Sequence, residues 1–229
     1  MKKGKLIVFE GIDGCGKSTI LQEVKEALRS LGFPVVSTRE PGGTNCPVAE
    51  EIRKILLYSP EPLCPETEML LFAASRAQHT QKFILPKLQE GYIVLSDRYL
   101  WSSLAYQGVG RKLGIELVRI INTPAVKEVS PDIIFLFDVP ASVAWKRTKK
   151  RIKKQKYDRF EKEGIRFQET LRGAYLELAH KNPKAVVVDA TLSAGEVAKI
   201  VLRKYSNYCR KRILPKEVKN EGRISKLFQ

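Results

Sequence analysis

The stretch Phe9-Glu10-Gly11-Ile12-Asp13-Gly14-Cys15-Gly16-Lys17-Ser18-Thr19 constrains this chain more than any other. From Gly11 to Ser18 it satisfies G-x-x-x-x-G-K-[ST]. The apolar run Leu6-Ile7-Val8-Phe9 in front of it reads as a buried strand, and Ser18 onward reads as a helix. Glycines let such a loop wrap a phosphate with backbone N–H groups, and the helix N-terminus adds a positive dipole end. Lys17 is then placed to reach the outer phosphates, and Ser18 to hold Mg²⁺. Gly11, Ile12, Asp13, Gly14, Cys15, Gly16, Lys17, Ser18 and Thr19 together form a candidate ATP site.

Strand and helix patterns alternate through the rest of the chain. Leu6–Phe9, Pro34–Thr38, Tyr92–Ser96, Ile133–Phe137 and Ala185–Val188 read as strands. Ser18–Leu31, Val48–Leu57, Glu66–Gln89, Ile115–Asn122, Ala141–Arg151, Arg159–Ala179 and Ala194–Lys204 read as helices. This alternation implies an α/β fold, a five-stranded parallel sheet covered by helices on both faces. Ligands gather at the C-terminal strand ends of such sheets. Here those ends carry Gly11, Arg39, Asp97 and Asp138. Residues 1–204 read as one domain. Residues 205–229, charged and poor in apolar side chains, read as a basic appendage.

Composition narrows the setting. No apolar run reaches the roughly 18–20 residues of a membrane span. Met1-Lys2-Lys3-Gly4 leads straight into a strand, without a signal-peptide pattern. Cys15, Cys46, Cys64 and Cys209 are scattered with no C-x-x-C pair, which argues against zinc and a disulfide framework and suits a reducing cytoplasm. The net charge of +16 calls for an anionic partner. Nucleotide phosphates meet that need locally. A nucleic-acid-binding ATPase is the competing explanation, but the excess is concentrated in 146–156 and the tail, so nucleic acid is not expected, though the basic tail leaves it open.

Three further motifs point at the acceptor. Thr38-Arg39-Glu40-Pro41-Gly42-Gly43-Thr44 follows the second strand, and Asp97-Arg98-Tyr99 the third. Arginines at two strand ends beside a phosphate loop suggest a second phosphate site, because guanidinium forks bind phosphate bidentately. Phe72 and Arg76 lie one turn apart on the long helix, a spacing that can hold a planar base by stacking and hydrogen bonding.

With these residues the sequence resembles the thymidylate kinases, of the nucleoside-monophosphate kinase group. The phosphate loop, Thr38–Thr44, Leu70–His79, Asp97–Gln107 and Asp158-Arg159-Phe160-Glu161 carry the likeness. It runs from about residue 5 to 203 and does not cover the tail. The resemblance implies a three-layer P-loop kinase fold, phosphorylation of dTMP to dTDP with ATP and Mg²⁺ for dTTP supply, and a homodimer. It implies that Arg39 and Arg98 bind the acceptor phosphate, that Phe72 stacks on thymine and that Arg76 hydrogen-bonds it. It also implies that Ser103 and Gln107 line the base pocket and that Tyr106 crowds the 2′ side of the sugar. Asp13 is electrostatically odd in a phosphate loop. The resemblance has it turn toward the acceptor and take the 3′-hydroxyl hydrogen bond, and it has Asp97 help place Mg²⁺ through water.

Some thymidylate kinases carry an arginine directly after the loop acid, where this chain has Gly14. Members without it resemble this chain in having a basic lid, here about 146–160. Lys146 to Lys156 holds eight lysines or arginines and no acid. Arg147 and Arg151 share one helix face and are the expected catalytic cations. An arginine installed at position 14 is expected to substitute for Arg151. A GTPase switch is disfavoured, since no N-K-x-D motif is present. A deoxynucleoside kinase is the runner-up. It would need a carboxylate base, and the paired arginines favour a phosphorylated acceptor.

Overall fold

Alternating apolar segments bury themselves as strands when helices cover both faces. The computed structural model describes residues 4–152, 160 and 163–212. In it β1 (Lys5–Glu10), β2 (Val35–Arg39), β3 (Ile93–Asp97), β4 (Ile133–Asp138) and β5 (Ala185–Asp189) form one parallel sheet. Their order is β2-β3-β1-β4-β5. The strand carrying the glycine loop therefore lies in the centre, and every residue from Leu6 to Glu10 is buried. Register puts Phe9 and Arg39 level with Asp97, one on each side of β3. The loop after β1 and the two arginine-bearing strand ends thus open at one edge of the sheet.

The helices are α1 (Lys17–Ser30), α2 (Pro47–Tyr58), α3 (Pro65–His79), α4 (Leu85–Gln89), α5 (Leu100–Ser103), α6 (Ile115–Val126), α7 (Ala141–Ile152), α8 (Ile165–His180) and α9 (Ala194–Arg212). Three spans differ from the sequence expectation. The single helix expected over Glu66–Gln89 is α3, a π-helical turn at Thr80–Ile84, and α4. Pro86 explains the break: it has no N–H to donate, and its ring crowds the carbonyl four residues back. Residues Leu100–Gly110, to which the sequence pattern assigns no element, form α5 and a second π-helical turn at Leu104–Gly110. Trp101 through Gly108 are all buried, so no polar face was there to show a helical period. The helix expected from Arg159 is α8, which starts at Ile165 after Gly164 at φ 87°.

The C-terminal helix continues beyond the boundary drawn at 204. α9 reaches Arg212, Tyr205 and Ser206 are buried, and the Tyr208 hydroxyl donates to Asp132 Oδ1 at 3.1 Å. Among the described residues no helix is long and apolar enough to cross a membrane.

Candidate active site

Backbone geometry sets the glycine loop. Gly14 (φ 82°) and Gly16 (φ 99°) adopt left-handed conformations that a side chain would strain. At Gly14 an added Cβ would stand 2.5 Å from Thr148 Oγ1 and would press on the Ala144 carbonyl oxygen, so α7 seats directly on the loop. Gly16 begins α1, whose first turn holds no acid. Its positive end is thus left for an anion. Lys17 is buried and folds back, donating to the carbonyls of Gly11 (3.0 Å) and Ile12 (2.9 Å). Ser18 Oγ donates to Asp97 Oδ2 at 2.5 Å. Cys15 is fully buried under the loop, its Sγ 3.5 Å from Lys17 Nζ.

Arg98 is the hub of the other half. Its φ of 72° is an unusual conformation for a residue with a side chain, held by what surrounds it. Nη1 donates to Gly11 O, Ser102 Oγ and Tyr175 OH, all within 3.0 Å. Nη2 donates to Asp13 Oδ1 at 2.6 Å and to Tyr106 OH at 3.3 Å. Tyr106 OH in turn donates to Asp13 Oδ2 at 2.7 Å. Burial favours the neutral form of Asp13. The Arg98 and Lys17 charges outweigh it, with the hydroxyl of Tyr106 helping, and carry the carboxyl down to about 2.

Glu10 lies behind this hub and is wholly buried. Its carboxylate accepts the backbone N–H groups of Tyr99 and Ser102 and the hydroxyls of Ser102 and Tyr175. Burial pushes its carboxyl up, against the pull of Arg98. Glu10, Ser102 and Tyr175 were absent from the sequence-derived site. A carboxylate closing an otherwise apolar strand was the available signal for Glu10. Nothing local marked Ser102 or Tyr175, which arrive from α5 and α8.

Phe72 forms the apolar wall of the cavity. Phe160 meets both Phe72 and Tyr106 edge-on, with ring centroids 5.9 and 5.7 Å apart. Arg39 opens toward the same space, its Nη2 donating to both carboxylate oxygens of Glu50. Arg76, Ser103 and Gln107 stand one layer behind the wall, all essentially inaccessible to solvent. Arg76 donates to Glu40, Ser103, Asn122 and the Tyr99 carbonyl. Gln107 Nε2 donates to Glu68 at 2.6 Å, which orients the amide and leaves Oε1 buried with no partner. On the other side Arg147 reaches the cavity while donating to the Ala190 carbonyl at 2.9 Å. The Arg151 side chain and lid residues 153–159 lie outside the described residues.

These surfaces enclose one cavity of about 610 Å³. Asp13, Gly14, Gly16, Lys17, Ser18 and Thr19 line it from the loop, while Gly11, Ile12 and Cys15 face inward. Arg39, Phe72, Asp97, Arg98 and Tyr106 line the same cavity, with Asp97 bonded to Ser18 and Arg98 to Asp13 at its loop side. A phosphate loop and a fixed guanidinium thus face one space.

Comparison with known proteins gives the same answer. The family model described as thymidylate kinase matches residues 9–201. The chain belongs to the thymidylate kinase family. It is 43% identical over 202 residues to the thymidylate kinase of Fervidobacterium nodosum, a match spanning 88% of this chain and 98% of that one. To the Finegoldia magna thymidylate kinase it is 47% identical over 192 residues, spanning 83% and 92%. To that of Kosmotoga olearia it is 43% identical over 200 residues, spanning 87% and 94%. The matched span begins inside β1 and ends inside α9, so the likeness covers the glycine loop and strands β2 to β5 but not the chain beyond.

Proposed function

We propose that this chain transfers the γ-phosphoryl group of ATP to dTMP, giving ADP and dTDP. The observation that carries it is one cavity lined together by the phosphate loop, Arg98 and Arg39. Two sites for phosphate suit two phosphorylated substrates. An oxygen of the dTMP phosphate attacks the γ-phosphorus as the bond to the β-phosphate oxygen breaks. Because that oxygen is already anionic, no strong general base is needed. The work is alignment and charge neutralisation. Lys17 leaves the loop carbonyls for the triphosphate, and Arg98 turns part of its hydrogen bonding from Asp13 to the acceptor phosphate. Arg39 supplies a second cation there, and Arg147 stands at the donor side. Ser18 and Asp97 bring oxygen donors together beside the loop, the chemistry Mg²⁺ accepts. Mg²⁺, when bound, neutralises β- and γ-phosphate oxygens.

Specificity rests on the Phe72 wall. A pyrimidine stacking there meets Tyr106 at the sugar, while Gln107 stands behind the wall with its Oε1 unpaired. Arg76 and Ser103 hold that layer in place. Asp13, held at about 2 by Arg98 and Lys17, is a poor general base, which disfavours an uncharged nucleoside as acceptor. The test is Mg-ATP with dTMP, dCMP, UMP and thymidine in turn, measuring ADP. Fastest turnover is expected with dTMP. Faster turnover of dCMP or UMP overturns the base reading, and faster turnover of thymidine overturns the phosphate reading.

The chain is proposed to act as a homodimer in the cytoplasm. Exposed Val48 and Ile55 on α2, Leu70 on α3, and Leu117 and Ile120 on α6 lie on three helices that pack side by side, which suits a second copy. Cys15, Cys46, Cys64 and Cys209 form no disulfide, which suits a reducing compartment. Sedimentation gives the dimer test: Ile120→Glu is expected to yield monomer, and a wild-type monomer at micromolar concentration overturns the assembly.

A further inference from the structure

We propose that Thr148 is a phosphate-contacting residue of the triphosphate site, its hydroxyl donating to an oxygen of the β- or γ-phosphate. The proposal rests on the kinase reading above and adds a donor from α7 to the one from the loop. Thr148 follows Arg147, is 2% exposed, and lines the same cavity as Lys17 and Ser18. Its Oγ1 is buried with no hydrogen-bond partner. A buried hydroxyl left unpaired is costly, and such groups in folded proteins nearly always find a partner.

The usual partner for a helical threonine is the carbonyl four residues back. Here that is Ala144, and the bond is not made. Both the Ala144 carbonyl and the Thr148 hydroxyl face Gly14, close enough that a Cβ on Gly14 would collide with each. The hydroxyl therefore sits against the loop at the residue that has no side chain. What it lacks is an acceptor. The loop backbone, the Lys17 ammonium and the open end of α1 all select an anion for this space. A phosphate oxygen supplies the acceptor without adding a protein group. A bond from Thr148 also ties phosphate occupancy to α7, from which the basic segment after Ile152 continues.

Thr148→Val keeps the shape and removes the hydroxyl, and Thr148→Ser keeps the hydroxyl. Two readouts are needed: the rise in melting temperature caused by Mg-ATP, and steady-state KM for each substrate. Without ligand, Thr148→Val is expected to melt at or above the wild-type temperature, since an unpaired group has been removed. With Mg-ATP its stabilisation should shrink and KM for ATP should rise about tenfold, the scale of a lost hydrogen bond to a charged group. KM for dTMP should stay within about twofold, and Thr148→Ser should restore wild-type behaviour. Wild-type KM and thermal shift in Thr148→Val overturn the proposal. So does a lower melting temperature without ligand, which would reveal a protein partner for the hydroxyl. A wild-type protein that neither shifts with Mg-ATP nor turns over dTMP overturns the kinase reading and the proposal with it.

Discussion

Arg98 is a structural hub to which the proposed reaction also assigns a chemical role. Its guanidinium links the loop carbonyl, Asp13, two tyrosines and Ser102, and stands between two carboxylates. Arg98→Ala would leave Lys17 as the remaining counter-charge for Glu10 and Asp13 and cost about 3–5 kcal/mol, so loss of activity in that variant would mix two effects. Arg98→Lys keeps the charge but not the fork. It should lower kcat with dTMP by at least about 100-fold while the protein stays folded, judged by circular dichroism and a melting curve. Asp13 gives a second measurement at this scale. Its carboxyl falls from 3.8 to about 2 on folding, so its contribution is present above 3.8 and is lost as pH drops through about 2. That contribution is about 2 kcal/mol. Melting temperature followed from pH 5 down to pH 2 should therefore decline more steeply in the wild type than in Asp13→Asn. Parallel curves would show that Asp13 is not held by Arg98 in solution.

At the scale of elements, the contact between α7 and the phosphate loop decides what position 14 tolerates. From the sequence, an arginine there could replace a missing lid cation. The structure corrects that expectation: Gly14 is at φ 82°, and its missing Cβ would press on the Ala144 main chain, which cannot swing away. Gly14→Ala should lower stability by about 2 kcal/mol or more, from the left-handed backbone and the displaced helix together. Its KM for ATP should rise with it. Gly14→Arg should behave worse rather than rescue a lid variant. A Gly14→Ala protein with wild-type melting and KM would show that α7 stands off the loop. The two π-helical turns act at this scale as well. The one at Leu104–Gly110 carries Tyr106 toward Asp13 and Gln107 toward Glu68.

For the whole molecule, the contribution of the last turns of α9 is measurable. α9 packs against α1, and Tyr205 and Tyr208 tie its later turns to the body. A chain ending after Lys204 should lose roughly 3 kcal/mol or more from the buried Tyr205 alone. One ending after Arg212 should keep the melting temperature and the dTMP activity of the full chain. Equal stability of the two truncations would show that the last turns of α9 add nothing.

The sequence by itself determined the strand positions, the α/β class, the phosphate loop and the arginines beside it. Each is written in short-range chemistry: an apolar run, a glycine spacing, a charge at a strand end. Arg39, Phe72, Asp97, Arg98 and Arg147 all reach the cavity from places the sequence marked. Only the tertiary structure decided which groups stand behind them. Glu10, Ser102 and Tyr175 come from three separate elements, and their meeting depends on sheet order and helix packing rather than on any local pattern. Arg76, Ser103 and Gln107 were legible as residues but not as a second layer, because burial is a property of the packed neighbours. Thr148 had no signal in the sequence. Its isolation exists only because α7 lies against a glycine 134 positions earlier in the chain.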